Sequence, residues 1–120
     1  MIIDQININL FKGANTEIRG QVFNSDGIEF PIPSATFVLT VKLNFFDDDN
    51  EAYLIKSSAT SDFLILDSDL GKFRVEITPS DLEDVPSNEY VYDIKMTTQD
   101  GKKYVIQRGK MIILSSVTQA

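Results

Sequence analysis

The amino-acid sequence predicts an all-β protein: an antiparallel, immunoglobulin-like β-sandwich of about seven or eight strands. Apolar and polar residues alternate along most of the chain, and no window of a dozen residues keeps an apolar stripe at helical spacing. Stretches rich in Gly, Asp and Asn separate the alternating runs at intervals of roughly 8–15 residues. Short half-buried strands stack in two layers, because a single open sheet would leave an apolar face in water. The 120 residues are expected to form one domain, 1–120.

The amino-terminal half predicts four strands, at Gln5–Phe11, Thr16–Phe23, 36–46 and Ala52–Ser57. A turn at 24–29 separates the second strand from a segment containing Pro31 and Pro33. That segment indicates an extended connection, since proline donates no hydrogen bond to a strand ladder. The residues predicted to point inward are Ile6, Ile8, Leu10, Ile18, Val22, Phe37, Leu39, Val41, Leu43 and Phe45.

The carboxy-terminal half predicts four more strands, at Asp62–Leu66, Lys72–Thr78, Glu89–Thr98 and Lys103–Leu114. Gly71 and Gly101 are predicted to be structural, because each stands in a tight turn where a positive φ is needed. A short helical turn near 79–84 is expected before Pro86. Gly109 is predicted to mark a β-bulge, because the apolar pattern of the last strand changes there.

Tyr90 and Tyr92 stand one residue apart at the start of a predicted strand, directly after the 80–89 corner. In immunoglobulin-like sandwiches a tyrosine at this corner donates its hydroxyl to the backbone a few residues upstream. Both tyrosines are therefore predicted to be structural. The alternative is that both phenols contact a ligand, although Val91, Asp93 and Lys95 are better placed to face solvent.

Composition excludes several classes of function. The chain has no Cys and no His, which removes thiol and Ser-His-Asp catalysis, disulfides and the commonest metal ligands. Its net charge of −7 disfavours binding to nucleic acid. The start of the chain has neither a basic segment nor a continuous apolar run, so no signal peptide or membrane span is expected. A non-enzymatic protein without a cofactor is predicted.

The acidic stretch 45–53 is the strongest candidate for a metal site. Asp47, Asp49 and Glu51 alternate as oxygen ligands do in calcium-binding loops. The Gly and the late Glu of an EF-hand are absent, so a solvated acidic loop is the preferred interpretation.

Three apolar runs are predicted to form partner interfaces, because a sandwich buries only one face of each sheet. The alternative is that another segment of the same chain covers them. If the runs form interfaces, the substitution Leu64→Asp or Ile113→Asp is expected to block assembly and leave a folded monomer. The predicted interface residues are Ile2, Ile3, Phe63, Leu64, Ile65, Leu66, Met111, Ile112, Ile113 and Leu114.

The stretch Asp67–Thr118 contains a D-x-x-G turn, an alternating strand ending in Thr, a corner with Leu and Tyr-x-Tyr-Asp-Ile. A Gly turn, an aromatic strand, a lone Gly and a closing Val-Thr follow. In this order the chain resembles a small β-sandwich domain of bacteriophage tails and baseplates, including the N-terminal module of upper baseplate proteins. The stretch Asn15–Lys42 is similar to the opening strands of that domain.

The resemblance implies a structural component of a phage-like virion that is assembled in the host cytoplasm. Its implied partners are other tail or baseplate proteins and further copies of itself in a symmetric ring. No long extension follows Thr118, which implies a connector or adaptor. A carbohydrate-binding or adhesin module of immunoglobulin-like fold is the alternative, with Phe46 and Tyr53 as available aromatic residues.

Overall fold

Residues 1–118 are described by the structure, a computed structural model, and within this range they form nine strands and three single-turn 3₁₀ helices. Residues 119–120 of the predicted domain lie outside the described part. The strands are β1 (Asp4–Gln5), β2 (Ile8–Phe11), β3 (Thr16–Gln21), β4 (Thr36–Lys42), β5 (Leu54–Ser57), β6 (Phe63–Asp67), β7 (Lys72–Ile77), β8 (Asn88–Thr97) and β9 (Lys103–Leu114). The 3₁₀ helices are η1 (Asp49–Glu51), η2 (Ser58–Thr60) and η3 (Pro79–Leu82).

The strands form two sheets, as predicted. In the larger sheet β1 and β2 both pair with β9, and the order continues through β8 and β4 to β5. The smaller sheet has the order β3-β7-β6. In immunoglobulin lettering, β3, β7 and β6 take the places of strands B, E and D, and β9, β8, β4 and β5 take those of G, F, C and C′. The prediction of an all-β, immunoglobulin-like sandwich is therefore confirmed, with nine strands in 1–118 instead of seven or eight.

The amino-terminal strand differs from its prediction in two ways. It is split at Ile6–Asn7, and both β1 and β2 run parallel to β9, whereas an antiparallel sandwich was predicted. At the split, the side chain of Asn7 accepts a hydrogen bond from the Lys110 backbone at 3.0 Å. Gly109 lies directly under Ile6, where a Cβ atom would stand 2.1 Å from the Ile6 carbonyl oxygen. Ile6 is thus exposed, not inward as predicted.

The core lies between the two sheets and is built by the predicted alternation. Phe73, Val75 and Ile77 of β7 are all buried, as are Tyr90, Tyr92, Ile94 and Met96 of β8. Phe37 stacks on Phe73 with ring centroids 4.7 Å apart. In β4 the inward residues are Phe37, Leu39 and Val41.

The prediction for Leu43 and Phe45 is wrong, because β4 ends at Lys42 and the chain turns away into a loop. Both side chains are exposed as a result. The position of the last bulge also differs from the prediction. The register shift lies between Ile94 and Lys95, opposite Val105–Gln107, while Gly109 pairs regularly with Tyr92.

The interface prediction for Met111 and Ile113 is also wrong. Both side chains are fully buried (0% exposed) in the core, because β9 continues its alternation to the end of the strand. Ile112 and Leu114 point to the opposite face. The predicted effect of Asp at Ile113, a folded monomer unable to assemble, is therefore not compatible with this burial.

The predicted turns at Gly71 and Gly101 are present, with φ of +71° and +87°. The Thr98 amide donates to the Lys102 carbonyl oxygen at 2.8 Å and closes the β8–β9 hairpin. The helical turn near 79–84 is the shorter 3₁₀ helix η3, which begins at Pro79 after the cap residue Thr78. Within residues 1–118 no helix has the length and apolarity to cross a membrane.

Lys56 is the one lysine of residues 1–118 that is buried, and it joins three elements. Its Nζ atom lies 2.8 Å from Asp81 Oδ2 in η3 and 3.3 Å from Asp62 Oδ1 before β6. Burial acts to lower the pKa of Lys56, but the hydrogen bonds and charges of Asp81 and Asp62 outweigh it and raise the pKa.

Candidate interaction surfaces

Tyr90 and Tyr92 both point into the core, and their hydroxyl groups bond to backbone. Tyr90 donates to the Pro86 carbonyl oxygen at 2.6 Å, which is the upstream hydrogen bond predicted from the sequence. Tyr92 donates to the Ile6 carbonyl oxygen at 2.7 Å and accepts from Gln107 Nε2 at 2.9 Å. Burial raises the pKa of both phenols. Neither side chain is available to a ligand.

The segment 43–52, here called the acidic loop, is closed by Lys42. Lys42 Nζ lies 2.7 Å from Asp49 Oδ1 and donates to the Asp47 carbonyl oxygen at 2.8 Å. The hydrogen bond with Lys42 lowers the pKa of Asp49. The Asp47 carboxylate accepts from the Asn44 amide at 3.0 Å, and Glu51 Oε1 accepts from the Asp48 amide at 3.3 Å.

These contacts involve the three residues considered for a calcium site, Asp47, Asp49 and Glu51. The carboxylates of Asp47 and Glu51 accept hydrogen bonds from backbone amides of the loop, and the carboxylate of Asp49 pairs with Lys42. No group of three acidic side chains in residues 1–118 is placed to hold a metal ion. The acidic side chains therefore build a closed loop.

The tip of the acidic loop presents Phe46, one of the two aromatic residues named above for the carbohydrate-binding alternative. Phe46 is 99% exposed, while its neighbour Phe45 folds back over the larger sheet. The Phe45 ring lies 4.7 Å from the Arg108 guanidinium carbon, in a cation–π contact. Phe45 therefore anchors the loop and leaves Phe46 free in solvent.

Under Phe45 the outer face of the larger sheet forms a shallow pocket of about 300 Å³. Val91, Asp93 and Lys95, named above as solvent-facing residues, line it together with residues of β4. Burial raises the pKa of the Asp93 carboxyl group, although Lys95, Lys42 and Arg108 oppose the shift. The pocket offers a carboxyl group, amines and an aromatic edge, which are groups that can bind a polar ligand.

A second depression, here called the end cleft, has a volume of about 370 Å³. One wall is the proline-containing segment 30–35, and the other is the β8–β9 turn at Thr98–Asp100. The lining of the first wall is apolar, since it consists of Phe30, Pro31, Ile32, Pro33 and Ala35. The sequence indicated an extended connection here but not the cleft, which requires the turn to lie opposite it.

The predicted interface residues fall into three groups. Five are exposed: Ile2, Ile3, Leu64, Leu66 and Leu114. Three are half-buried, namely Phe63, Ile65 and Ile112, and of these Phe63 and Ile65 pack against the core. Met111 and Ile113 are in the core, as described above. The exposed leucines of β6 lie on an edge strand, since β6 pairs only with β7.

The fold defines the protein as an immunoglobulin-like β-sandwich, and comparisons with known proteins add little to that class. No family model and no curated protein matches the chain. Among solved structures, the chain is similar to a 2,6-sialyltransferase of Vibrionaceae Photobacterium sp. JT-ISH-224, solved with CMP and lactose. The identity is 11% and the TM-score 0.45, over 96% of this chain and 18% of the sialyltransferase chain. Murine CRIg is similar at 11% identity and a TM-score of 0.41, over 92% of each chain.

Proposed function

We propose that the chain is a non-enzymatic structural component of a phage-like virion, most simply a tail or baseplate adaptor. It would act through protein–protein interfaces, with other tail or baseplate proteins and further copies of itself as partners. Assembly would take place in the host cytoplasm. The sequence resemblance over Asp67–Thr118 suggests this class of protein, and the exposed apolar edge strand β6 is the structural observation that carries the proposal.

Strand β6 has the properties of a pairing edge. Leu64 is 50% exposed, and Leu66 is also exposed. Both belong to the run Phe63–Leu66, which carries no charged side chain. An edge strand leaves backbone N–H and C=O groups unpaired on its open side, and apolar side chains there favour the addition of a further strand. A partner strand would satisfy both the backbone groups and the leucines.

The proposal is tested by Leu64→Asp in particles purified from cells that encode the chain. The exposed position tolerates the charge, so the variant should remain folded by circular dichroism and yet be absent from particles. The matched control is Lys72→Asp, which places the same charge at an exposed position of the neighbouring strand β7. Normal incorporation of both variants, or absence of the wild-type chain from the particles, contradicts the proposal.

A carbohydrate-binding or adhesin module is the second candidate, and the pocket under Phe45 favours it. A sugar would pack against the edge of the Phe45 ring and exchange hydrogen bonds with Asp93 and Lys95. Glycan arrays with and without Ca²⁺ separate the two candidates. Specific sugar binding that Asp93→Asn removes would favour the adhesin, and binding that does not change on chelation would agree with the closed acidic loop.

A further inference from the structure

The acidic loop holds Phe46 in one position without covering it. The loop is fixed at three points: Lys42 bonds to Asp47 and Asp49, and Phe45 stacks on Arg108. Phe46, between these anchors, is 99% exposed. A phenylalanine in water costs free energy that burial would recover, and a pre-ordered loop loses little entropy when it binds. These properties are typical of an aromatic anchor residue at a protein interface.

The end cleft lies at the opposite end of the same molecule. Strand β4 connects the two places: it begins at Thr36, beside Thr97 and the β8–β9 turn, and ends at Lys42, where the acidic loop starts. At about 3.3 Å per residue, these seven residues separate the two ends by roughly 20 Å. Phe46 therefore cannot fill the cleft of its own chain.

The two ends are chemically complementary. The cleft has one apolar wall, which includes Phe30 and two prolines, and its volume of about 370 Å³ leaves room for an aromatic side chain. Lys102 and Lys103 are exposed beside the cleft, and Asp100 in its lining forms an ion pair with Lys102 at 3.8 Å. Asp48 and Glu51, both exposed, belong to the same loop as Phe46.

We propose that Phe46 of one copy inserts into the end cleft of a second copy, between segment 30–35 and the β8–β9 turn. The acidic residues beside Phe46 would then face Lys102 and Lys103 of the receiving copy. The apolar insertion supplies the affinity and the charges orient the contact, because the net charge of −7 opposes association. This inference deepens the proposed assembly function and rests on it for the expectation of repeated copies.

The contact is heterologous, since each copy offers a tip at one end and a cleft at the other. Repetition of such a contact generates a ring when the rotation closes and an open filament when it does not. It uses neither β6 nor the amino-terminal residues, so these surfaces remain free for other partners.

The first test measures self-association of the full chain by sedimentation and light scattering at physiological salt. Phe46→Ala should weaken it by about tenfold or more, as expected for loss of an interface anchor. Leu64→Asp is the control, because it alters an exposed apolar residue on a different surface, that of β6. Loss of particle incorporation in Leu64→Asp, with self-association retained, would be the result expected if both proposals are right.

The second test uses the absence of cysteine from the chain. Asp48→Cys and Gln99→Cys are made separately and mixed under mild oxidation; the first labels the loop tip and the second labels the cleft. A disulfide-linked dimer of the two variants is expected in the mixture, in excess of either homodimer. Adding Phe46→Ala to the Asp48→Cys variant should remove it.

A chain that remains monomeric at its solubility limit overturns the inference, and so does self-association that Phe46→Ala leaves unchanged. Neither outcome contradicts a virion function through other tail or baseplate proteins, which Leu64→Asp tests in particles. A mixed disulfide that forms equally well without Phe46 would also overturn the inference. A chain that self-associates through Phe46 but is absent from particles would support this contact and contradict the virion function.

Discussion

Tyr90 and Tyr92 show how single hydroxyl groups connect distant parts of this chain. Tyr90 bonds to Pro86, only four residues upstream, and so holds the corner before β8. Tyr92 bonds to Ile6, 86 residues away, and so attaches the amino-terminal segment to the core. The spacing of the two tyrosines in the sequence is compatible with a structural role and with a ligand-binding role. The partners of their oxygen atoms, which are backbone carbonyls, identify the structural role.

Tyr90→Phe should lower the free energy of unfolding by about 1 kcal/mol, because the partly buried hydrogen bond to the Pro86 carbonyl is lost while the ring packing is kept. Urea denaturation followed by circular dichroism measures the change. Tyr104→Phe is the control, since we find no hydrogen bond from the Tyr104 hydroxyl to any residue of 1–118, and its effect should be close to zero. Equal stabilities for Tyr90→Phe and the wild type would contradict the corner role.

Gly109→Ala should separate the amino-terminal segment from β9. The added methyl group would stand 2.1 Å from the Ile6 carbonyl oxygen, which is backbone and cannot turn aside. We expect a loss of about 1–3 kcal/mol and faster amide hydrogen exchange in residues 4–11. Gly13→Ser is the control, because no atom lies within 4 Å of a Cβ atom there, so only its positive φ adds strain. Unchanged exchange in residues 4–11 would show that Gly109 does not hold this contact.

At the scale of elements, the alternation of apolar and polar side chains correctly predicted the buried face of strands that are paired on both sides. β7 and β8 match their predicted inward faces because each is paired on both sides and covered by the opposite sheet. The break between β1 and β2 was not predictable in this way, since it depends on a hydrogen bond between residues 103 positions apart. The exposure of Phe46 has a similar cause. It follows from the Lys42 contacts that end β4 early, and no local pattern encodes them.

The Lys56 cluster is an element-scale link, because it ties β5 to η3 and to the start of β6. Burial acts to raise the pKa values of Asp62 and Asp81, but hydrogen bonds, including those from Lys56, outweigh it and lower both below the ordinary 3.8. Carboxylates of this kind contribute stability above their unfolded pKa, and the contribution is lost as the pH falls through the folded pKa values. Because the pKa of Lys56 is raised, its ammonium group contributes stability below pH 10.5. This contribution is lost as the pH rises through the folded pKa.

Lys56→Met should therefore destabilise the fold most at neutral pH, by about 2–4 kcal/mol, because two carboxylates lose their partner. As the pH falls below 3.8 these carboxylates become protonated, and the difference from the wild type should shrink. Thermal unfolding across the pH range measures both effects, with Lys103→Met as an exposed control. A constant difference between wild type and Lys56→Met through the acid range would contradict the cluster's role.

For the whole molecule, the two layers decide which apolar residues serve the core and which serve partners. The run Met111–Leu114 is apolar at every position, so sequence alone assigned all four residues to an interface. Because β9 is a strand of the larger sheet, one of its faces points to the core and the other points outward, so its residues divide by face. Met111 and Ile113 meet the smaller sheet, whereas Leu114 lies beside Phe11 of β2 on the outer face. Two adjacent residues therefore belong to different parts of the protein.

Ile113→Asp and Leu114→Asp test this division, since they place the same charge at neighbouring positions. Ile113 is 0% exposed, and an unpaired carboxylate there, with the loss of apolar packing, should cost about 4 kcal/mol or more. Because domains of this size are stable by only about 5–15 kcal/mol, that variant should be largely unfolded or melt far below the wild type. Leu114 is 39% exposed, so Leu114→Asp should keep dispersed amide signals in NMR spectra and nearly the wild-type melting temperature. Similar melting temperatures for the two variants would mean that β9 does not present alternate faces to the core and to solvent.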